Sequence, residues 1–447
     1  MNPQFKETEA GLIPEEWQLR SIGEVALINR SNLKKNSELE FIEYIDIASV
    51  DKGIVTDKQN LKLKEAPSRA KRIVKDNDIL ISTVRPNLKH YAFIKNANTN
   101  TIASTGFAVI SAKKINPNFL YYYLTTDRYT NYLSAIADSH TSAYPSFNPD
   151  IIEKSFVPFP SKEEQNSIAK ILSDLDKKIE INQKMNQTLE EIGQAIFKHW
   201  FVHFEFPNEQ GKPYKSSGCE MVDSELGAIP KGWEIGCIND IIGNPISGDW
   251  GKEIKEENFS KETYCIRGAD IPNLSIGNQS KAPVRFIKPE KYQKCHLKPM
   301  DIILEISGGS PTQSTGRSVL INEDILNLYE NKMICSNFCK IIRTKREEYS
   351  AYLYLLINYL YFKDFFFQFE NGTTGIKNLD FKSLFKYHNI LIPTNDVLND
   401  FNQQIFYLQK VIHNNGSQSK ILSQIRDSLL PKLISGKIRV KIPEEAI

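Results

Sequence analysis

Several places in this 447-residue chain bring together side chains that could do chemistry. Asp240, Glu253 and Lys255 have the spacing of a nuclease's acidic pair and lysine, which would hold a divalent cation and activate water. A Glu-x-Lys triplet is common in a lysine-rich chain, however, and a solvated loop is the simpler reading. His199 and His203 stand four residues apart and could ligate a metal, but Trp200, Phe201 and Phe204 beside them point to an aromatic seal at a helix end. In 307–318, Gly309 and Gly316 are separated by six residues and Arg317 stands where a phosphate loop needs lysine. Gly11 and Gly23 are isolated, so there is no dinucleotide fingerprint. Asn244-Pro245-Ile246-Ser247 lacks the aromatic that closes an amino-methyltransferase motif. Cys335 and Cys339 with Cys295-His296 imitate a zinc site, but their spacing suits buried thiols better. No catalytic, cofactor or metal constellation survives, and the chain is expected to bind rather than react.

What it binds is suggested by where its cations lie. Residues 58–75 contain Lys58, Lys62, Lys64, Arg69, Lys71, Arg72 and Lys75 against Glu65 alone; residues 281–298 contain Lys281, Arg285, Lys288, Lys291, Lys294 and Lys298 against Glu290 alone. One such window reads as a solvated lysine-rich loop. Two, at matching positions in a chain whose net charge is only +2, read as local phosphate-binding surfaces. Base reading also needs paired hydrogen-bonding groups nearby. Candidates are Arg85, Asn87, Lys89 and His90 in the polar stretch 82–91, and Thr312, Gln313, Ser314 and Arg317 in 307–318. Ser142 and Tyr144 in 140–146, and Thr373, Thr374, Lys377 and Asn378 in 371–378, form a second pair of polar loops. For any single residue an ordinary turn role competes with a base contact.

The elements that must position these loops come in two copies. Residues 9–17 return as 225–233, with Glu, Gly, Ile, Pro and Trp matching at constant offset. The turn and strand 75–81 return as 298–304, each entering the strand through an aspartate, Asp78 and Asp301. Ile102-Ala103-Ser104 resembles Ile334-Cys335-Ser336, and a tyrosine-rich helix follows each time, over 119–133 and 352–366. A repeat this long means two copies of one fold. Each copy is followed by a long amphipathic stretch. Ile168, Ile171, Leu172, Leu175, Ile179, Met185, Leu189, Ile192 and Ile196 put one apolar stripe on a helix over 162–200. At 1.5 Å per residue that rod is roughly 58 Å long and needs an equally long partner. Ile405, Leu408, Ile412, Leu422, Ile425, Leu429 and Leu433 supply one over 396–435, weakened or kinked at the polar, glycine-containing 413–417.

The fold class is therefore α+β: two similar domains and two long helices packed as an antiparallel coiled coil, with a pseudo-twofold internal repeat. The expected boundaries are a first domain over 1–160, a central helix over 161–205, a linker over 206–222, a second domain over 223–395, and a C-terminal helix and tail over 396–447. Ordinary hydrophobic (40%) and charged (25%) fractions suit a soluble protein. The most apolar window, 351–362, is too short to span a bilayer. All six cysteines lie in the second half, which argues against a disulfide scaffold and for a reducing cytoplasm.

In combination the motifs resemble the specificity subunit of type I restriction-modification enzymes. The resemblance is carried by Gly11-Leu12-Ile13-Pro14 with Trp17, by Gly227-Ala228-Ile229-Pro230 with Trp233, by 171–180 running on to 195–201, and by 429–438. It covers nearly the whole chain. It implies two target-recognition domains, each reading half of a split asymmetric site in double-stranded DNA, with the helices as a ruler between half-sites. It also implies two methyltransferase subunits that bind S-adenosylmethionine and methylate adenine, and restriction subunits that translocate DNA with ATP and Mg2+; no cofactor would belong to this chain. The family's base-contacting residues vary, so no reader residue carries over. Other readings are a recognition subunit serving a fused methyltransferase-nuclease, and a coiled-coil scaffold binding protein or glycan.

Overall fold

The computed structural model describes residues 4–34, 37–139, 145–310, 312–372 and 376–440. The chain forms two compact units, the first of residues 1–178 with 422–447, the second of residues 179–421. Both long helices, Lys162–Phe197 and Asn395–Ile434, run through both units.

The first unit contains two four-stranded sheets. One has the order Tyr91–Phe93, Asp78–Ser82, Phe107–Ala112, Ala26–Ile28, all antiparallel. Asp78–Ser82 is buried at every position, so it reads as a continuous apolar run rather than an alternation. The other has the order Gln59–Lys62, Phe41–Ile45, Thr101–Ser104, Ala70–Ile73, in which the middle pair is parallel. The second unit repeats the plan. Ser318–Leu320, Ile302–Glu305, Cys339–Ile342 and Ile246–Ser247 form the first sheet, and Val284–Ile287, Lys261–Ile266 and Met333–Cys335 the second, again with a parallel pair. Its missing fourth strand is replaced by the helix Pro289–Cys295. A two-stranded ribbon precedes each long helix: Gln18–Ser21 with Phe156–Phe159, and Glu234–Cys237 with Asn389–Ile392.

The repeated aspartates explain why the motif recurs. Asp78 accepts the Lys75 backbone N–H at 2.8 Å, and Asp301 accepts that of Lys298 at 2.8 Å. The residues before them, Asn77 and Met300, both take the left-handed conformation. Each carboxylate is buried beside an arginine, Arg30 at 3.4 Å and Arg343 at 2.7 Å, and burial pushes both aspartates above the usual carboxylate range.

Within each unit the long helices pack antiparallel, and polar residues share the buried seam with part of the apolar stripe, of which Ile168, Leu172, Ile405, Ile412 and Leu433 are buried. Ile171, Met185 and Ile192 are exposed, whereas Asn182 and Asn186 are 0% and 2% exposed. Asn182 Nδ2 donates to Gln418 Oε1 at 2.9 Å, Ser419 Oγ at 3.2 Å and the Asn415 carbonyl at 3.3 Å. Asn186 Nδ2 donates to the carbonyls of Ile276 and Ile412 at 2.8 and 2.9 Å, and its Oδ1 accepts from Asn415. In the first unit Asp176 pairs with Arg426 at 2.7 Å, and Glu164 binds both Arg439 at 2.8 Å and the Trp17 indole N–H at 3.0 Å. Gly436 lies against Pro14 and Trp17, which brings together the opening and closing motifs of the chain. In the second unit Trp233 stacks on Phe206 at 5.2 Å and meets Phe201 and Phe204 at the end of the central helix.

The kink expected at 413–417 does not occur: the helix is continuous there. Gly416 is instead a contact point, where an added Cβ would lie 1.9 Å from the Gly277 carbonyl oxygen. The central helix ends earlier than 200, in a π-turn over Lys198–Val202. Its aromatic seal is made by Trp200 and Phe201, while His199 and His203 are exposed. The Pro- and Gly-rich segment after it folds back on itself, with Phe206 stacked on Tyr214 at 4.5 Å.

Alanine in place of a mid-helix glycine ordinarily gains about 1 kcal/mol. Here Gly416→Ala must displace the backbone of Gly277, a strain of order 1–3 kcal/mol. The variant is expected to melt below the wild type in thermal denaturation followed by circular dichroism; a higher Tm would contradict the contact.

Candidate nucleic-acid interface

The loops singled out by residue type converge in each unit by itself. In the first, Val84 bridges Ser146 and the Arg85 N–H donates to the Pro145 carbonyl at 2.8 Å, which joins 82–91 to the segment before the central helix. In the second, Ser307–Gly308 pairs with Lys377–Leu379, which pairs with Glu370–Asn371. Each unit thus presents a two-loop edge beyond the strand that its buried aspartate begins.

The individual candidates are placed as follows. Asn87, Thr312 and Asn378 are exposed, and Gln313 is exposed with its amide donating to the Tyr361 hydroxyl at 3.1 Å. Arg85 is exposed and left-handed (φ 48°). Lys89 pairs with Asp127 at 2.5 Å, and His90 Nδ1 lies 2.5 Å from the Val50 carbonyl. Arg317 places its fork on Glu305 at 2.5 and 2.8 Å, so its paired donors are occupied within the fold rather than offered to guanine. Lys377 binds Glu370 at 2.8 Å, whose other oxygen accepts from Thr315. Ser314 is buried. Ser142, Tyr144, Thr373 and Thr374 lie outside the described residues.

The two basic windows coincide in sequence but not in structure. In the first unit, Lys62 ends one edge strand of its sheet and Lys71 and Arg72 lie on the opposite edge strand; exposed Lys64 and Arg69 lie on the crossing between them. Three strand spacings separate those edges, about 14 Å. Arg72 donates to Asn32 at 2.9 Å, and burial lowers its pKa. In the second unit Lys291 stands on the helix that replaces that edge strand, exposed Lys281 lies before Val284–Ile287, and Arg285 is buried. Arg285 stacks 4.0 Å from the Trp250 ring centroid and pairs with Glu253 at 2.9 Å. Selection by charge passes over Trp250; its signal in the sequence is an aromatic set between glycines, Gly248-Asp249-Trp250-Gly251.

The groups that looked capable of catalysis have structural partners. Asp240 accepts the Cys237 N–H at 2.7 Å in a helix cap. Cys265, Cys295, Cys335 and Cys339 are buried, and burial pushes the Cys295 thiol up to about 11 and that of Cys339 up to about 12. Among the described residues no group of three or more His, Cys, Asp or Glu could hold a metal ion, and no helix is long and apolar enough to cross a membrane. A cleft of about 650 Å³ in the second unit is lined by Glu190, Ile271, Tyr354, Asn358, Ile405 and Leu408. Burial there pushes Glu190 above the usual carboxylate range.

This duplicated α+β plan with paired long helices has counterparts among known proteins. Residues 14–191 match the family model of the type I restriction modification DNA specificity domain. The chain is 29% identical to the type I restriction enzyme MjaIX specificity subunit of Methanocaldococcus jannaschii, over 98% of this chain and 97% of that one. It is 25% identical to the HindI specificity subunit of Haemophilus influenzae, over 95% of this chain and all of that one. The crystal structure of a type I restriction-modification S subunit from M. genitalium shares the fold, at a TM-score of 0.51 and 15% identity over 97% of this chain and 99% of that one. Over nearly its whole length the chain is similar to specificity subunits of type I restriction enzymes, and residues 14–191 carry the match to the family's DNA specificity domain.

Arg317→Ala strands Glu305 in the interior without a partner, a loss of about 3–5 kcal/mol. Its denaturant midpoint is expected to fall well below that of the wild type; an unchanged midpoint would show the pair to be dispensable. Glu190 has its pKa raised by burial, so its contribution is complete below the ordinary carboxylate pKa and is lost as pH rises through the raised value. The Tm of Glu190→Gln relative to wild type is therefore expected to increase between pH 4 and pH 8, and a flat difference would contradict the assignment.

Proposed function

We propose that this chain is the non-catalytic, sequence-reading subunit of a type I restriction-modification complex. Each unit reads one half of a bipartite, asymmetric site in double-stranded DNA. The observation that carries the reading is the duplication itself: one module, twice, each with a two-loop edge, and two long helices running through both. Exposed Lys62, Lys64, Arg69, Lys71 and Lys281, with half-buried Lys291, supply phosphate contacts that fix position, and the loop edges supply base contacts that specify sequence. The reaction itself belongs to partner subunits: two methyltransferase subunits using S-adenosylmethionine to methylate adenine, and restriction subunits using ATP and Mg2+ to translocate and cut. The complex acts in the cytoplasm, where the DNA is.

Half-sites read from one face of the duplex lie about one helical turn, roughly 34 Å, apart. The long helices set that gap. Because Asn182 and Asn186 lock the register, lengthening only one helix would break the pairing, and the informative change lengthens both. Four matched residues added at 178/179 and at 421/422 add about 6 Å, close to two base pairs at 3.4 Å each. Mapping of methylated bases in cells carrying the complex is expected to show both half-sites unchanged and the gap altered; an unchanged gap would defeat the ruler. Lys62, Lys64 and Lys71 replaced together by alanine should flatten the dependence of log affinity on log salt, by about 0.9 for each phosphate no longer neutralised. A wild-type slope would remove these lysines from the interface.

A further inference from the structure

The connection between Ile246–Ser247 and Lys261–Ile266 is fastened to two strands of the second unit. The Asp249 N–H donates to the Cys335 carbonyl at 2.9 Å, and Lys252 and Phe286 exchange both backbone hydrogen bonds at 2.9 Å. The Gly251 N–H donates to the Asp249 carboxylate at 2.9 Å. A Cβ on Gly248 would lie 2.1 Å from the Cys335 carbonyl oxygen, and one on Gly251 2.6 Å from that of Phe286. Backbone pressed this closely against two strands cannot drift, and between the glycines it carries Trp250, 38% exposed.

One part of the indole is already covered. The Arg285 guanidinium sits 4.0 Å from the ring centroid and is itself 7% exposed, and its Nη1 holds Glu253 Oε1 at 2.9 Å. The Glu253 side chain is 81% exposed, so a carboxylate is held at a fixed place with an oxygen facing solvent. A flat ring loses little conformational freedom on contact and stacks on any base, whereas a carboxylate accepts from an exocyclic amino group. The guanidinium offsets the charge that would otherwise repel phosphate.

We propose that Trp250 and Glu253 form a base-reading element of the second module, with Arg285 as the positioning residue that holds both. Its ligand is a base carrying an exocyclic amino group, cytosine or adenine, together with the neighbour on which the indole packs. This deepens the DNA-reading function proposed above and rests on it. The first unit uses the same join differently. The connection after Ala26–Ile28 is held by Arg72 through Asn32 at 2.9 Å, and the Nε atoms of Arg72 and Arg285 are both buried without a partner. Arg72 stands on the edge strand Ala70–Ile73, whereas Arg285 stands on Val284–Ile287, the counterpart of the opposite edge strand Gln59–Lys62, so the two joins are fastened to different edges of their sheets.

The test uses the full complex with its methyltransferase subunits, DNA carrying single-base changes in each half-site, and mapping of methylated bases. Trp250→Ala is expected to weaken binding 10- to 100-fold, with Trp250→Phe recovering most of the loss. Glu253→Gln is expected to relax the preference at one position of the second half-site and leave the first intact. Arg285→Lys, which keeps the charge but not the flat fork, should weaken binding and relax that same position without shifting the Tm by more than a few degrees. Wild-type affinity and an unchanged motif in both Trp250→Ala and Glu253→Gln would overturn the assignment, as would equal loss at both half-sites. Absence of salt-dependent DNA binding by the wild-type complex would overturn the parent reading, and this one with it.

Discussion

The register of the two long helices depends on buried amides. Leucine and isoleucine side chains accept many sliding offsets at similar cost, whereas Asn182 and Asn186 find their acceptors at one offset only. Any shift would leave buried donors without partners, at about 1–3 kcal/mol each. The same amides reach beyond the helix pair. Asn186 binds the Ile276 carbonyl, and Gly277 beside it rests on Gly416, so the second unit's sheet-bearing part is tied to the layer that sets the register. In the first unit the equivalent work is ionic: Arg426 on Asp176, and Arg439 shared between Glu164 and Glu16.

On these helices the modules are alike where the fold is made and unlike where the surface is made. The aspartate that begins each buried strand makes the same backbone hydrogen bond at the same distance in both copies. By contrast, one sheet edge is a strand in the first module and a helix in the second, and the loop after the first sheet's outer strand presents Asn32 in one and Trp250 in the other. Duplication followed by divergence of loops keeps the core while changing what the surface can read.

Much of this is legible in the sequence because it repeats. The offset between 9–17 and 225–233, and between 75–81 and 298–304, exposes the two copies without any knowledge of the fold, and three-and-four spacing exposes both helices. The polar part of the interface between those helices is not legible. Periodicity counts apolar residues, so it selects Met185 and passes over Asn182 and Asn186 to either side, whose partners lie more than 200 residues away. Gly416 looks like a weakness for the same reason: a glycine needed for close approach and a glycine that loosens a helix are identical until the neighbouring backbone is placed. Among the candidates, residue type selects Arg317 for base contacts and Arg285 for a phosphate-binding surface, but they are spent on Glu305 and on Trp250 with Glu253. Charge complementarity within the fold cannot be seen from type alone.

The central claim is that each module reads its own half-site independently. Exchanging the first sheet-bearing module, up to the start of the central helix at Lys162, for that of a relative of different specificity tests it most directly, with methylated bases mapped across the genome. The account predicts a hybrid motif in which one half-site becomes the donor's, while the other half-site and the gap stay as they were. A motif changed in both halves, or methylation abolished while the complex remains folded and assembled, would contradict it.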